Sequence, residues 1–419
     1  MSDLVDFPAF RKSNSLIAPC SEKRGESSIL RVFENLKERT ERRIGGPNAA
    51  GRHLERSGVR GGVSAGGRAA FPPRTIARVR SSGYTLRVKK EEQIQLFPGL
   101  MPEVEKEGVG PPPFSEDLIE LGKALPEDVY LGGSTWSFPG WRDLVYDGKY
   151  SESKLAREGL KAYAQHPLLR CVGIDRTYYA PIEPKEFADY AAQVPDGFRF
   201  VVKAHEACTV SRYPDRPRYG AVRGQVNPFF LDPVYATDAV VGPFVEGLGS
   251  KAGALLFQFS PQDLGVPERF ADELRAFLCA LPRGPVYGVE VRNREILTPA
   301  YADALAEARA VHCHNVHPRM PDIVTQARLA GTDRPRTPIT LVRWLLGPGM
   351  TYEDAGRRYA PFNKLQAPDE NARRALTVLA QNALAAGRPF VCTVNNNGEG
   401  CAPLSIEALA RAIVSGSTT

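Results

Sequence analysis

Five charged residues stand at or just beyond the carboxyl ends of short β-branched or aromatic runs. They are Asp175 after Cys171-Val-Gly-Ile174, Lys203 after Phe198-Arg-Phe-Val-Val202, Glu290 and Arg292 in Tyr287-Gly-Val-Glu-Val-Arg292, and Arg343 in Leu341-Val-Arg343. Charges in such places are costly to bury unless they are paired or used. Lys203 with two arginines suits an anion, because the guanidinium fork matches phosphate or carboxylate bidentately. Asp175 or Glu290 could serve as general base, and a desolvated lysine can form a Schiff base. The same residues also have a purely structural use, as an internal ion-pair network bracing the fold.

The elements that would position them alternate regularly after residue 114. Candidate strands are Val129–Ser134, Cys171–Asp175, Phe198–Lys203, Ala254–Gln258, Val286–Glu290, Val311–His314, Ile339–Arg343 and Phe390–Val394. Helical patterns cover Ser153–Gln165, Pro184–Val194, Pro267–Leu281, Pro299–Ala310, Glu370–Ala385 and Ser405–Val414. Strands separated by helices of ten to fifteen residues imply parallel pairing through right-handed crossovers. A doubly wound sheet shares this alternation, but no G-x-G-x-x-G follows the first strand, and eight strands is the count of a closed TIM-type (β/α)8 barrel. In that fold the active site lies at the carboxyl ends of the strands. Alternation along each strand puts Gly173, Asp175 and Thr177 on one face, likewise Val201, Lys203 and His205, and Gly288, Glu290 and Arg292, so these groups are expected to converge at one mouth.

Seven ordered motifs also carry a family likeness. Gly132-Gly-Ser-Thr-Trp136-Ser, Val172-Gly-Ile-Asp-Arg-Thr-Tyr-Tyr179, Phe198 to Lys203, Leu255-Leu-Phe-Gln-Phe-Ser-Pro261, Tyr287 to Arg292, Leu341-Val-Arg343, and Thr393-Val-Asn-Asn396 with Ala402-Pro403 resemble the strand motifs of the YecE-like family, domain of unknown function 72. The resemblance spans roughly residues 128–415 and implies a β/α barrel without an agreed reaction. Residue chemistry and barrel geometry make Asp175, Lys203 and Glu290 the catalytic candidates and Trp136, Thr177, Tyr178, His205, Gln258, Arg292, Arg343, Asn395 and Asn396 the substrate-binding ones, Asn395 and Asn396 strengthened by the resemblance. There are departures: Gly173 stands where the family usually has Glu, no Trp follows the fifth strand, and Trp344-Leu-Leu-Gly347 replaces a His-Gly after the seventh.

Other groups invite chemistry more weakly. His312 and His314 share one face of a strand, with His317 nearby, and with Glu290 or Asp175 they could hold a metal. Metal sites need three or four fixed ligands, so no cofactor is assigned. Trp136 with Tyr178 and Tyr179 could stack a sugar or base, whereas Trp141 is expected to pack. Asn395 and Asn396 could bind ligand or simply turn the chain. The seven cysteines are scattered without a C-x-x-C pair, which favours reduced thiols in a cytoplasm. No apolar run approaches the ~18 residues of a membrane span, and the amino terminus has no apolar signal core.

The formal charge of +6 resides in the leader. Residues 1–90 hold 19 Lys and Arg against 8 Asp and Glu, a balance of +11 that leaves −5 for the rest, so composition gives the barrel no basic nucleic-acid-binding surface. Residues 1–113, rich in Gly, Arg and Pro, read as a mostly disordered extension with one marginal amphipathic stretch, Ser28 to Arg43, ahead of a barrel domain at 114–419. Gln93-Ile-Gln-Leu-Phe97 within it resembles the pentapeptide by which bacterial replication and repair proteins dock on the ring-shaped sliding clamp. An extended peptide can seat Leu96 and Phe97 in an apolar pocket while Gln93 hydrogen-bonds at its rim. A peptide spanning Lys90 to Leu100 is then expected to bind purified clamp saturably at tens of micromolar by fluorescence polarisation. Equal binding after Leu96→Ala and Phe97→Ala would remove the idea.

Overall fold

The computed structural model describes residues 108–331 and 337–416. The basic extension up to residue 107, the Ser28 to Arg43 stretch, and Gln93, Leu96 and Phe97 lie outside the described residues. Eight strands, β1 (Val129–Gly133), β2 (Leu169–Ile174), β3 (Arg199–Lys203), β4 (Ala252–Phe259), β5 (Tyr287–Val291), β6 (Val311–Val316), β7 (Thr340–Trp344) and β8 (Phe390–Val394), close into one barrel in chain order. Every neighbouring pair is parallel, β8 against β1 included.

Helices join them: α1 (Glu116–Ala124), α2 (Glu152–Tyr163), α3 (Pro184–Ala191), α4 (Gly242–Leu248), α5 (Pro267–Ala280), α6 (Pro299–Ala308), α7 (Ile323–Leu329), α8 (Tyr352–Tyr359), α9 (Glu370–Ala385) and α10 (Ala402–Gly416). Their starts follow from local chemistry. Proline, whose φ is already helical and whose missing N–H is no loss in the first turn, opens α3, α5 and α6. Ser115, Ser151, Thr298, Asp322, Thr351 and Asp369 each accept a first-turn backbone N–H at a helix start. No helix among the described residues is long and apolar enough to cross a membrane.

The barrel has two interiors. Inside the sheet, Cys171, Val201, Leu256, Cys313, Leu341 and Val391 form an apolar plug. Gly288 faces this plug because a Cβ there would come within 2.6 Å of Leu341 Cδ2. Outside it, Phe257, Val289, Trp344 and Val394 pack beneath the helices with Ile406 and Leu409 of α10. The inner positions one step above the plug are polar: Lys203, Gln258, Glu290, Asn315 and Arg343. Gln258 pairs in register with Glu290, and Asn315 with Arg343. Apolar material below therefore forces the polar groups to find one another at the mouth.

His312 and His314 lie in the outer phase, since His312 pairs with Val289. His312 bonds Tyr301 Oη at 3.0 Å and Gln326 Oε1 at 3.4 Å, and His314 Nδ1 meets the Leu341 carbonyl at 3.2 Å. They are thus turned away from Glu290 and Asp175, and the metal grouping considered from sequence does not assemble. Among the described residues no three His, Cys, Asp or Glu are arranged to hold a metal.

Burial, with the neighbouring His314 second, pushes the His312 imidazole down to about 3. Because the folded value lies below the ordinary 6.5, its neutral form stabilises the fold above pH 6.5, and that contribution drains away as pH falls toward 3. Between pH 6.5 and 5 the loss from this residue is expected to be about 2 kcal/mol. Urea melts of the protein and of His312→Asn at both pH values check it. Parallel pH slopes for the two would contradict the assignment.

Candidate active site

At the mouth the charged residues form one continuous chain of contacts. Arg292 Nε donates to Glu290 Oε1 at 2.7 Å, and Arg343 Nη1 donates to Glu290 Oε2 at 2.9 Å. Arg343 Nη2 reaches on to Asp175 Oδ2 at 2.7 Å, and Lys203 Nζ stands 3.8 Å from that same oxygen. β3, β5 and β7 each deliver one member from the strand end, and the residues just after β2 and β5 deliver Asp175 and Arg292. This is the convergence that alternation predicted.

The members are not equivalent. The Glu290 side chain is 0% exposed with both oxygens committed. Burial alone would raise its pKa, but attraction from Arg292, Arg343 and Lys203 outweighs it and holds the carboxyl at about 2. A carboxylate so held is a fixed counter-charge and makes a poor proton acceptor at neutral pH, which corrects its candidacy as general base. Arg343, fully buried, is pushed above its ordinary value: desolvation opposes this, and Asp175 and Glu290 overcome it.

Lys203 is the loosest member. Its 3.8 Å approach to Asp175 is too long for a hydrogen bond, and its ammonium lies 4.5 Å from the centre of the Tyr178 ring. Burial, offset only in part by Asp175, brings its pKa down to about 8. Asp175 is 38% exposed at its side chain, and its Oδ1 takes no hydrogen bond among the described residues. Arg292 likewise spends only Nε on Glu290. Its two terminal nitrogens, at the end of a side chain 9% exposed, make no hydrogen bond among the described residues. Tyr178 Oη touches Ser260 Oγ at 3.3 Å, which accepts from Gln258 Nε2 at 2.9 Å, so Tyr178 and Gln258 form the floor beside Lys203.

Other sequence candidates fall elsewhere. Thr177 lies beyond the end of β2, and its hydroxyl donates to the Ile174 and Lys203 carbonyls at 3.0 and 2.6 Å. It ties two strand ends together and is buried, a correction to its substrate-binding assignment. His205 also lies past its strand, bonds Tyr235 Oη at 2.5 Å, and borders a small void with Val202 and Phe187 instead of the mouth. Asn396 Oδ1 accepts from Trp141 Nε1 at 3.0 Å and from Ala402 N at 2.9 Å, so it fastens the closing loop. Asn395 stays at the rim: its Nδ2 donates to Ser134 Oγ at 3.0 Å. Trp136 is buried edge-on to Tyr190, 5.1 Å between centres, yet lines a cleft of about 410 Å³ with Ser134, Gly173 and Asp175.

Gly173 accounts for one departure from the family pattern. A Cβ there would lie 3.0 Å from the Ser134 carbonyl and 3.1 Å from its Cα, so a Glu side chain would need the backbone just after β1 to give by about a few tenths of an ångström. Sequence reasoning missed Asn315, which pairs in register with Arg343. Asn315 extends the inner phase of Val311 and Cys313 by one step, and the signal was lost because the sixth strand was ended at His314 when it runs to Val316.

Comparison with known proteins bears on the whole barrel. No curated protein matches the chain. Among solved structures it is similar to a DUF72 family protein of Enterococcus faecalis V583, at 19% identity over 68% of this chain and 95% of that one, TM-score 0.46. Another is a DUF72 family protein of Thermotoga maritima MSB8, at 17% identity over 68% and 99%, TM-score 0.46. The family model described as "Protein of unknown function DUF72" matches residues 130–418, from the first strand of the barrel through its last helix, and the chain belongs to that family.

Proposed function

We propose that this barrel is an enzyme, a hydrolase or lyase, that takes a phosphate-bearing or otherwise anionic substrate at the carboxyl ends of its strands. The observation that carries the reading is Lys203: a buried amine with a pKa near 8, loosely paired, between an aromatic floor and a carboxylate with an unused oxygen. Structural ion pairs are normally closed, as Glu290 is here, whereas catalytic groups keep a pKa near the working pH and a free face.

Arg292 and Lys203 would hold the anion. In a hydrolytic reaction Asp175 would take a proton from water as the water oxygen bonds to phosphorus and the phosphorus–ester bond breaks, with the Lys203 ammonium giving the departing ester oxygen its proton. In a lyase reaction neutral Lys203 would add to a carbonyl carbon and lose water to form an imine. The carbon–carbon bond beside the protonated imine then breaks, its electrons forming an enamine, as Asp175 takes the proton from the hydroxyl of the departing carbon, which leaves as a carbonyl. Protonation of the enamine and hydrolysis would free the lysine. A non-catalytic reading has one observation in its favour, that every charge at the mouth has a partner within the protein. Such an accessory protein would be recruited to the sliding clamp through Gln93, Leu96 and Phe97.

Two probes test the proposal. Release of p-nitrophenol from p-nitrophenyl phosphate, and borohydride trapping of dihydroxyacetone phosphate on Lys203 read by peptide mass, are each expected to fall at least tenfold in Lys203→Met. A wild-type protein that neither turns over the ester nor traps the ketone, while still binding the clamp, would replace the enzymatic reading with the accessory one.

A further inference from the structure

The cleft of about 410 Å³ that Trp136 lines shares Asp175 itself with the charged mouth. It opens between the connection from β1 to α2, which brings Ser134, Thr135 and Ser137, and α3, which brings Asp189 and Tyr190. Its volume suits a small ligand or a part of one. Which part is decided by the atoms left to spare.

Asp175 gives Oδ2 to Arg343 at 2.7 Å, and its Oδ1 takes no hydrogen bond among the described residues. With 38% of the side chain exposed, solvent and ligands can reach it. On the facing wall Ser134 Oγ accepts from Asn395 Nδ2 at 3.0 Å. The amide is held in that sense, because Asn395 Oδ1 accepts from Asn397 N at 3.0 Å. The serine hydroxyl therefore has an acceptor face in use and a proton that no described residue receives. Thr135 and Ser137, half-buried and 3.2 Å apart at their hydroxyls, add two more groups that can donate or accept.

A ligand group at Asp175 Oδ1 must donate, and one among these hydroxyls gains most if it also accepts. An ammonium cannot accept, and a second anion would be repelled by Asp175. Charge leaves little room for either: Arg176 is already paired with Glu186, and Asp189 with Lys185 at 2.9 Å. Hydroxyl groups meet both demands, and the Trp136 and Tyr190 rings, edge-on at 5.1 Å, give the C–H side of such a ligand an apolar wall. Lys203 Nζ stands 3.8 Å from the other oxygen of the same carboxylate, so one short molecule can span both places. We propose that the substrate class is a sugar phosphate, with its phosphate against Lys203 and its hydroxyls in the cleft, one of them donating to Asp175 Oδ1. This rests on the anionic reading of the mouth given above. It also supplies the hydroxyl whose proton Asp175 would take in a lyase reaction.

Calorimetric titration of the full chain with ribose 5-phosphate, n-pentyl phosphate and inorganic phosphate tests it. The sugar phosphate is expected to bind at least about tenfold tighter than the pentyl ester, the worth of one hydrogen bond to a charged group. Ser134→Ala is expected to lower that ratio at least threefold and to leave inorganic phosphate binding unmoved. Ala156→Phe, which fills the cleft from the exposed side of α2 and away from the ion pairs, should also lower it and serves if Ser134→Ala fails to fold. Binding of the pentyl ester as tight as that of the sugar phosphate, or a ratio that neither variant changes, would overturn the inference while phosphate binding leaves the anionic mouth standing. Binding of none of the three would overturn both.

Discussion

Glu290→Gln is expected to lower the stability of the barrel by about 3–5 kcal/mol, the cost of leaving a buried partner unpaired. The glutamate is fully buried, with Arg292 and Arg343 on separate oxygens at 2.7 and 2.9 Å. A neutral amide in its place leaves two guanidinium groups in an apolar barrel with only Asp175 to answer them. The pH dependence has a definite sign. The Glu290 pKa is depressed from 4.5 to about 2, so its contribution is complete above pH 4.5 and disappears as pH falls from 4.5 to about 2. Glu290→Gln should lack that acid-side loss. The double variant Glu290→Met, Arg343→Met is expected to recover part of the stability, because the charge and its main counter-charge leave together. Urea melts read all three, and a single-variant cost under about 1 kcal/mol would show that Glu290 does not brace the barrel.

Lys203→Met should behave oppositely, raising stability at pH 7 by about 1–3 kcal/mol while weakening binding of small phosphate esters at least tenfold. The Lys203 pKa lies at about 8 in the fold against 10.5 ordinarily, so the unfolded chain holds the proton more tightly. Wild-type stability therefore rises between pH 8 and 10.5, and below pH 8 the buried ammonium is a standing cost. Methionine keeps the aliphatic stem against Tyr178 and removes the charge, and Asp175 retains Arg343 at 2.7 Å. Destabilisation by more than about 2 kcal/mol would place Lys203 with Glu290 among the braces. The pair of variants would thus separate the bracing part of the network from the part proposed to bind substrate.

Much of this arrangement was legible in the sequence, and the failures have a common cause. All eight strands lie within two residues of their expected bounds, and α3, α5 and α6 begin on the prolines that marked them. Short helices such as α4, α7 and α8 carry too few turns for a periodic signal, and tertiary packing supplies what the local sequence lacks. Alternation placed Lys203, Glu290 and Arg343 correctly because each sits within its strand. It still held one residue beyond, at Asp175 and Arg292, and failed two or three beyond, at His205 and Thr177, where 3-10 turns begin and alternation no longer applies. His312 and His314 show a different limit. Their shared face was evident, but whether that face matched Glu290 depended on the register of β5 with β6, which pairs His312 with Val289 and which no single strand encodes. Asn396 was ambiguous because side-chain amides serve turns and ligands with the same atoms.

If the mouth binds an anion through Lys203, as proposed, a titration of Lys203 itself reads it most directly. Carbon-13 label at lysine Cε, with Lys203→Met to assign the resonance, follows its protonation by NMR from pH 6 to 11 with and without inorganic phosphate. A midpoint of about 8 is expected in the free protein and a higher one with saturating phosphate, since a bound anion favours the ammonium form. A midpoint near the ordinary 10.4 of lysine, or one that phosphate leaves unmoved, would contradict it.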